Sequence, residues 1–260
     1  MNRSILSLAA TCSLIGGTHA AVLVDNFESY NPLDSDMNGK GTWLVTNGAP
    51  AIPAEGPVAI VDNYTWDGSI RSATVGGVAS TLGGITSLYN NSFSVPLVSP
   101  TPQPTFFQIE TAYSESSVGN RNNFQFVLTA SSGNLLTLNF APGGANQYIV
   151  SWSSAFATGG VIGALTKNIS TQFRLNTFAS GVNVGYSLTN AGTFVAGGIL
   201  AGASQLATIN NFAVNWDSAS NGGLGNNAIT IDKISVVPEP SSALMGLLGA
   251  SFALIRRRRA

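Results

Sequence analysis

The chain has 260 residues, of which only 9% are charged, with 11 Lys and Arg against 12 Asp and Glu. Its single cysteine, Cys12, and single histidine, His19, both fall within the first twenty residues. The remainder therefore excludes a disulfide framework, Cys or His zinc sites, Ser-His-Asp and Cys-His nucleophiles and a histidine base, and six cations against eleven acids between Ala21 and Val237 leave no basic stripe for nucleic acid.

The N-terminal stretch MNRSILSLAATCSLIGGTHA carries an early cation at Arg3, an apolar run from Ile5 to Ile15, and small residues at Thr18 and Ala20. That is the layout of a secretory signal peptide cleaved after Ala20. The expected division is a signal peptide (1–20), a body (21–237) and a distinct C-terminal segment (238–260).

From Ala21 onward helix signals are nearly absent and period-two alternation recurs. Phe124, Phe126 and Leu128 share one face, as do Leu136, Leu138 and Phe140. Ile169, Phe173 and Leu175 form a third set, Val182, Val184, Tyr186 and Leu188 a fourth, and Phe212, Val214 and Trp216 a fifth. Turn formers separate the runs, at Ser131 to Asn134, Pro142 to Gly144, Asn190 to Gly192 and Asn221 to Gly223. Ten or more short strands, each with one apolar face, must pack face to face, so the expected fold is an all-β, two-sheet antiparallel sandwich or jelly roll.

Candidate chemistry is sparse. Glu110 and Glu115 are the one suggestive carboxylate pair, but Glu115 is expected in the turn leading to Gly119, and an odd spacing of five directs two strand residues to opposite faces. The expectation is therefore a protein that is not an enzyme. Sugar binding needs less: aromatic faces and a few amide or hydroxyl partners. Trp43, Tyr64, Trp66, Trp152 and Trp216 are the candidates, with Tyr64 and Trp66 set among turn formers beside Asp62 and Asp67. Trp216 continues the Phe212 and Val214 face, which favours a core position, whereas Trp66 stands open between core and ligand site.

The tail VPEPSSALMGLLGASFALIRRRRA has thirteen uncharged residues from Ala243 to Ile255, marginal for a membrane-spanning helix, followed by Arg256, Arg257, Arg258 and Arg259, which favour the cytoplasmic side. Pro238 and Pro240 flank Glu239 and stop any arriving strand. The Pro-Glu-Pro triplet, apolar run and terminal arginines together resemble the PEP-CTERM sorting signal of Gram-negative bacteria. The resemblance implies a protein exported, held briefly in the inner membrane, and processed near the triplet by an exosortase-type transpeptidase, then left at the cell surface or outside the cell, in association with extracellular polysaccharide and biofilm matrix. Pro238, Glu239, Pro240 and the four arginines would be recognition and retention features.

The segments AVLVDNFESY (21–30) and AITIDKISVV (228–237) resemble the first and last strands of concanavalin-like and carbohydrate-binding-module jelly rolls. The resemblance implies that these strands lie side by side, with Asp25 or Glu28 and Asp232 holding a structural calcium; as ordinary strand-edge acids they would hold none. In the laminarinases of that group the catalytic strand has an aspartate two residues after its first glutamate, where this chain has Ala112. Two functional readings follow: a non-catalytic, polysaccharide-binding surface or matrix protein, with Trp66, Tyr64 and Trp43 as ligand-contacting residues, or a structural matrix protein with no ligand site. A glycan hydrolase trails both. A concave sheet face bearing exposed aromatics favours the first, and a flat, Thr- and Ser-covered face the second.

Overall fold

The computed structural model describes residues 22–30, 37–47, 58–61, 72–76, 85–100, 104–115, 121–217, 220 and 227–238. The regular elements among them are all strands. In chain order they are β1 (Leu23–Asp25), β2 (Leu44–Asn47), β3 (Val58–Val61), β4 (Ser72–Gly76), β5 (Ile85–Asn90), β6 (Val95–Pro96), β7 (Thr105–Glu115) and β8 (Asn123–Ala130). There follow β9 (Gly133–Pro142), β10 (Gln147–Ser153), β11 (Gly160–Thr166), β12 (Thr171–Ser180), β13 (Asn183–Asn190), β14 (Thr193–Leu200), β15 (Thr208–Asp217) and β16 (Asn227–Pro238).

The strands form two antiparallel sheets packed as a sandwich. Sheet A runs β14-β13-β12-β7-β16-β4-β3, with β1 also paired to β16, and sheet B runs β11-β10-β9-β8-β15-β5-β2, with β6 paired to β15. The first and last strands do lie side by side, Leu23 opposite Val236 and Asp25 opposite Ile234.

Alternation explains the layers. Phe107 and Ile109 of β7, Phe173 and Leu175 of β12, and Val184 and Leu188 of β13 are buried and point from sheet A toward Phe126 of β8, Phe140 of β9 and Phe212 of β15 in sheet B. Rings meet across the gap, Phe107 with Phe212 at 5.5 Å between centroids and Phe140 with Phe173 at 5.9 Å. Each such side chain contributes about 1.5–3 kcal/mol by leaving water. Two residues expected on these faces are not there. Ile169 precedes β12 and Val182 sits in the turn before β13, and both are exposed; strand parity continued past the strand end points nowhere in a turn.

Polar groups tie the layers at defined points. Thr177 Oγ1 donates to the Leu97 carbonyl at 2.6 Å and Thr105 Oγ1 to the Pro96 carbonyl at 2.8 Å. At the other end, buried Asn227 donates to the Tyr148 hydroxyl and accepts from the Asn122 N–H at 3.0 Å, while Arg121 caps the Gly144 and Gln147 carbonyls. These bonds satisfy groups that burial would otherwise leave costly.

Candidate functional sites: the outward faces of the two sheets

The N-terminal acids serve the fold. Asp25 Oδ1 accepts the Phe27 N–H at 2.7 Å, and its Oδ2 accepts both the Tyr30 hydroxyl at 2.8 Å and the Trp43 indole N–H at 2.7 Å. These donors fold the chain after β1 into a tight loop, with Phe27 at a φ of 60°. Burial, together with the Asp25 carboxylate beside it, holds the Tyr30 phenol well above its ordinary value of 10.0. Glu28 lies in the same turn, its N–H donating to Asn26 Oδ1 at 3.4 Å. Asp232 is buried at the bulge where β16 slips by one residue against β7. Both Asp25 oxygens accept protein donors, which gives that residue a role in the loop. Among the described residues no group of three or more acids, histidines and cysteines gathers.

Trp43, expected as a ligand-contacting residue, is instead fully buried, with its ring 5.7 Å from Phe27 and edge-on to Phe212. Asp25 makes this possible by satisfying the indole N–H. Trp152 and Trp216 are buried as well, the latter continuing the Phe212 and Val214 face as expected. Tyr64 and Trp66 lie outside the described residues, as do Glu239, Pro240 and Arg256 to Arg259; Pro238 is the last residue of β16.

β7 extends through Glu115 instead of turning before it, and Glu115 pairs with Asn227. Glu110, on the outward side of sheet A, is only 4% exposed, and its Oε1 accepts from Gln108 Nε2 at 2.9 Å and Gln172 Nε2 at 3.0 Å.

The outward face of sheet A carries aromatics that sequence patterning alone did not single out. Phe178 of β12 is opposite Gly185 of β13, and a Cβ on that glycine would lie 2.4 Å from the ring. Phe194 of β14 likewise lies over Gly197, where a Cβ would come within 2.9 Å of it. A bulge at Leu188/Thr189 puts both residues on the outward side of β14. Phe178 is 39% and Phe194 65% exposed. Beside Phe178 on β12 are Asn176, whose Nδ2 donates to Ser187 Oγ at 3.1 Å, and Arg174, whose guanidinium sits 4.5 Å over the Phe106 ring of β7. The available signal was parity: Phe178 alternates out of phase with Phe173 and Leu175, so it had to leave the core.

The outward face of sheet B is different. One row across its strands reads Thr46, Ser87, Asn215, Gln125, Asn139 and Ser151. Ser87 Oγ donates to Asn215 Oδ1 at 2.7 Å, and Gln125 Nε2 to Asn139 Oδ1 at 3.0 Å. A shallow pocket beside this row is lined by Ile85, Asn123, Gln125, Asn215 and Asp217.

Residues 236–259 match the PEP-CTERM protein-sorting motif, which marks the chain as exported. No curated protein matches the sequence. Among solved structures, the Crh5 transglycosylase is similar at a TM-score of 0.51 and 14% identity, covering 86% of this chain and 87% of that one. A sialidase is similar at 0.50 and 11% identity, covering 86% of this chain and 19% of that one. At these identities the likeness concerns the fold.

Proposed function

We propose that this exported protein binds polysaccharide without cutting it, through the outward face of sheet A. The observation that carries the reading is the pair of exposed rings, Phe178 over Gly185 and Phe194 over Gly197, beside Asn176, Ser187 and Arg174. With no side chain on either glycine, each ring settles against backbone and keeps a surface open to solvent. Sugar rings stack on such surfaces while amides and hydroxyls take their hydroxyl groups. Binding without hydrolysis is supported by Glu110, whose carboxylate is nearly buried and tied by two glutamines. An exosortase-type partner and a surface or extracellular destination, with polysaccharide as the matrix, accord with the sorting motif. The four arginines of the tail would hold the chain in the inner membrane until processing.

Affinity electrophoresis of the exported protein through gels containing neutral and acidic glycans tests the reading. At least one glycan should retard it, and Phe178→Ala/Phe194→Ala should weaken that retardation by about 1 kcal/mol for each stacking ring removed. Wild-type retardation in the double variant would move the site elsewhere. Free migration of the wild type in every gel would favour a structural matrix protein with no ligand site.

A further inference from the structure

We infer that the outward face of sheet B is a second glycan surface, one that takes an extended, neutral polysaccharide chain lying across the strands. The domain would then hold two chains, one on each side of the sandwich. Only the count of two chains rests on the glycan-binding reading of sheet A; the sheet B surface is a separate site with its own ligand preference.

The first argument is spacing. Thr46, Ser87, Asn215, Gln125, Asn139 and Ser151 are register partners on six consecutive strands, β2, β5, β15, β8, β9 and β10. Neighbouring strands are about 4.8 Å apart, so the row presents one hydrogen-bonding side chain every 4.8 Å or so over roughly 24 Å. That interval is close to the length of one pyranose unit in an extended, equatorially linked chain. A ligand crossing the strands would meet one polar group for each sugar.

The second argument is the state of the amides. Asn215 Oδ1 is taken by Ser87 and Asn139 Oδ1 by Gln125. These bonds fix the orientation of each amide and leave the Asn215 and Asn139 NH2 groups and the Gln125 carbonyl for a ligand. The row therefore alternates donor, acceptor and donor across β15, β8 and β9, which suits hydroxyl groups that both give and accept. Prior orientation lowers the ordering cost of binding.

The third argument is charge. No residue of the row is ionisable, and the adjoining pocket contributes one acid, Asp217. Among the described residues of the row and its pocket a polyanion would find no cation, whereas a neutral chain loses nothing by its absence. Sheet A, by contrast, carries the cations Arg174 and Lys233 on its outward side.

Two chains on opposite faces make the domain a cross-link. The test uses the exported protein with hydroxyethylcellulose as the neutral extended probe and alginate as the polyanionic one. Gln125→Ala/Asn215→Ala should weaken retardation in hydroxyethylcellulose about tenfold, as expected when two hydrogen bonds to the ligand are removed, while the protein stays folded with a modestly lower melting temperature from losing the bonds to Ser87 and Asn139, and any alginate retardation stays at wild type. Thr46→Ala/Ser151→Ala, at the ends of the row, should weaken it in the same direction and serves if the first variant does not fold. Wild-type protein should raise the viscosity of a glycan that both faces bind, or of a mixture of two glycans that they bind separately, and a variant of either face should bind without raising it. Wild-type retardation and viscosity in both row variants would overturn the second surface and leave sheet A untouched. Loss of all binding in Phe178→Ala/Phe194→Ala would also overturn it, by assigning all affinity to sheet A. If that phenylalanine variant instead kept full binding and only the row variants lost it, the sheet A reading would fall and sheet B would stand.

Discussion

The indole N–H of Trp43 donates to Asp25 Oδ2 at 2.7 Å across eighteen positions of chain, and the same oxygen receives the Tyr30 hydroxyl. A short first strand is thereby fastened to the core. Asp25→Ala strands two buried or half-buried donors and one backbone N–H, and should destabilise the protein by roughly 3 kcal/mol in denaturant unfolding. Since three protein donors already engage the carboxylate, wild-type melting should be the same in calcium and in chelator. A calcium-dependent rise that vanished in Asp232→Ala would restore the acids to a cation site.

Tyr30 provides a pH test. Its folded-state value is raised above 10.0, first by burial and then by the Asp25 carboxylate. A raised value favours the protonated form on folding, so the contribution is fully present below pH 10 and is lost as pH rises through the folded value. Stability should fall on the alkaline side, and Tyr30→Phe should flatten part of that fall. Tyr186, raised by burial alone, accounts for part of the remainder. An identical alkaline profile in Tyr30→Phe would remove Tyr30 from the account.

Gly185→Ala separates ring placement from ring presence. The added Cβ would lie 2.4 Å from the Phe178 ring, whose far edge can swing away. Stability should drop by about 1 kcal/mol or less, while glycan retardation should fall as far as in Phe178→Ala. Full retardation in Gly185→Ala would show that the ring need not lie where it does.

The β13–β14 turn holds Ala191 at a φ of 48° beside Gly192 at 78°. Both central residues of this two-residue hairpin are left-handed, a geometry that Asn-Gly adopts readily and alanine only at a cost. Ala191→Asn should gain about 0.5–1 kcal/mol, seen as a higher melting temperature with unchanged glycan retardation.

The tail makes its own prediction. Replacing Pro238, Glu239 and Pro240 with alanine should leave export intact and cause a longer, membrane-bound form to accumulate, read by immunoblot of fractionated cells. Unaltered maturation would refute processing at the triplet.

Much of the sandwich was legible because alternation is local: Phe124, Phe126 and Leu128 need only their own strand to declare a face. Trp43 was not, because its burial depends on an acceptor supplied by Asp25, and nothing near Trp43 in sequence announces it. Phe178 and Phe194 are hard to read from sequence for a related reason. Each is exposed on a glycine that register alone brings beneath it, Gly185 from the next strand and Gly197 past a bulge. Glu110 was visible as an acid, but its two glutamine partners, one from β7 itself and one from β12, were not. The polar row of sheet B draws one residue from each of six strands, and no single stretch contains the pattern.

β16 pairs with β7 and β4, and with β1 over part of its length, so the middle of sheet A is the last strand of the described fold. The sorting motif begins at residue 236, inside that strand. Synthesis must run almost to the tail before sheet A can close, and a chain broken off earlier would lack both its central strand and its sorting address. Architecture and addressing are thus written into the same few residues, so that a truncated copy forfeits its sorting motif along with its shape.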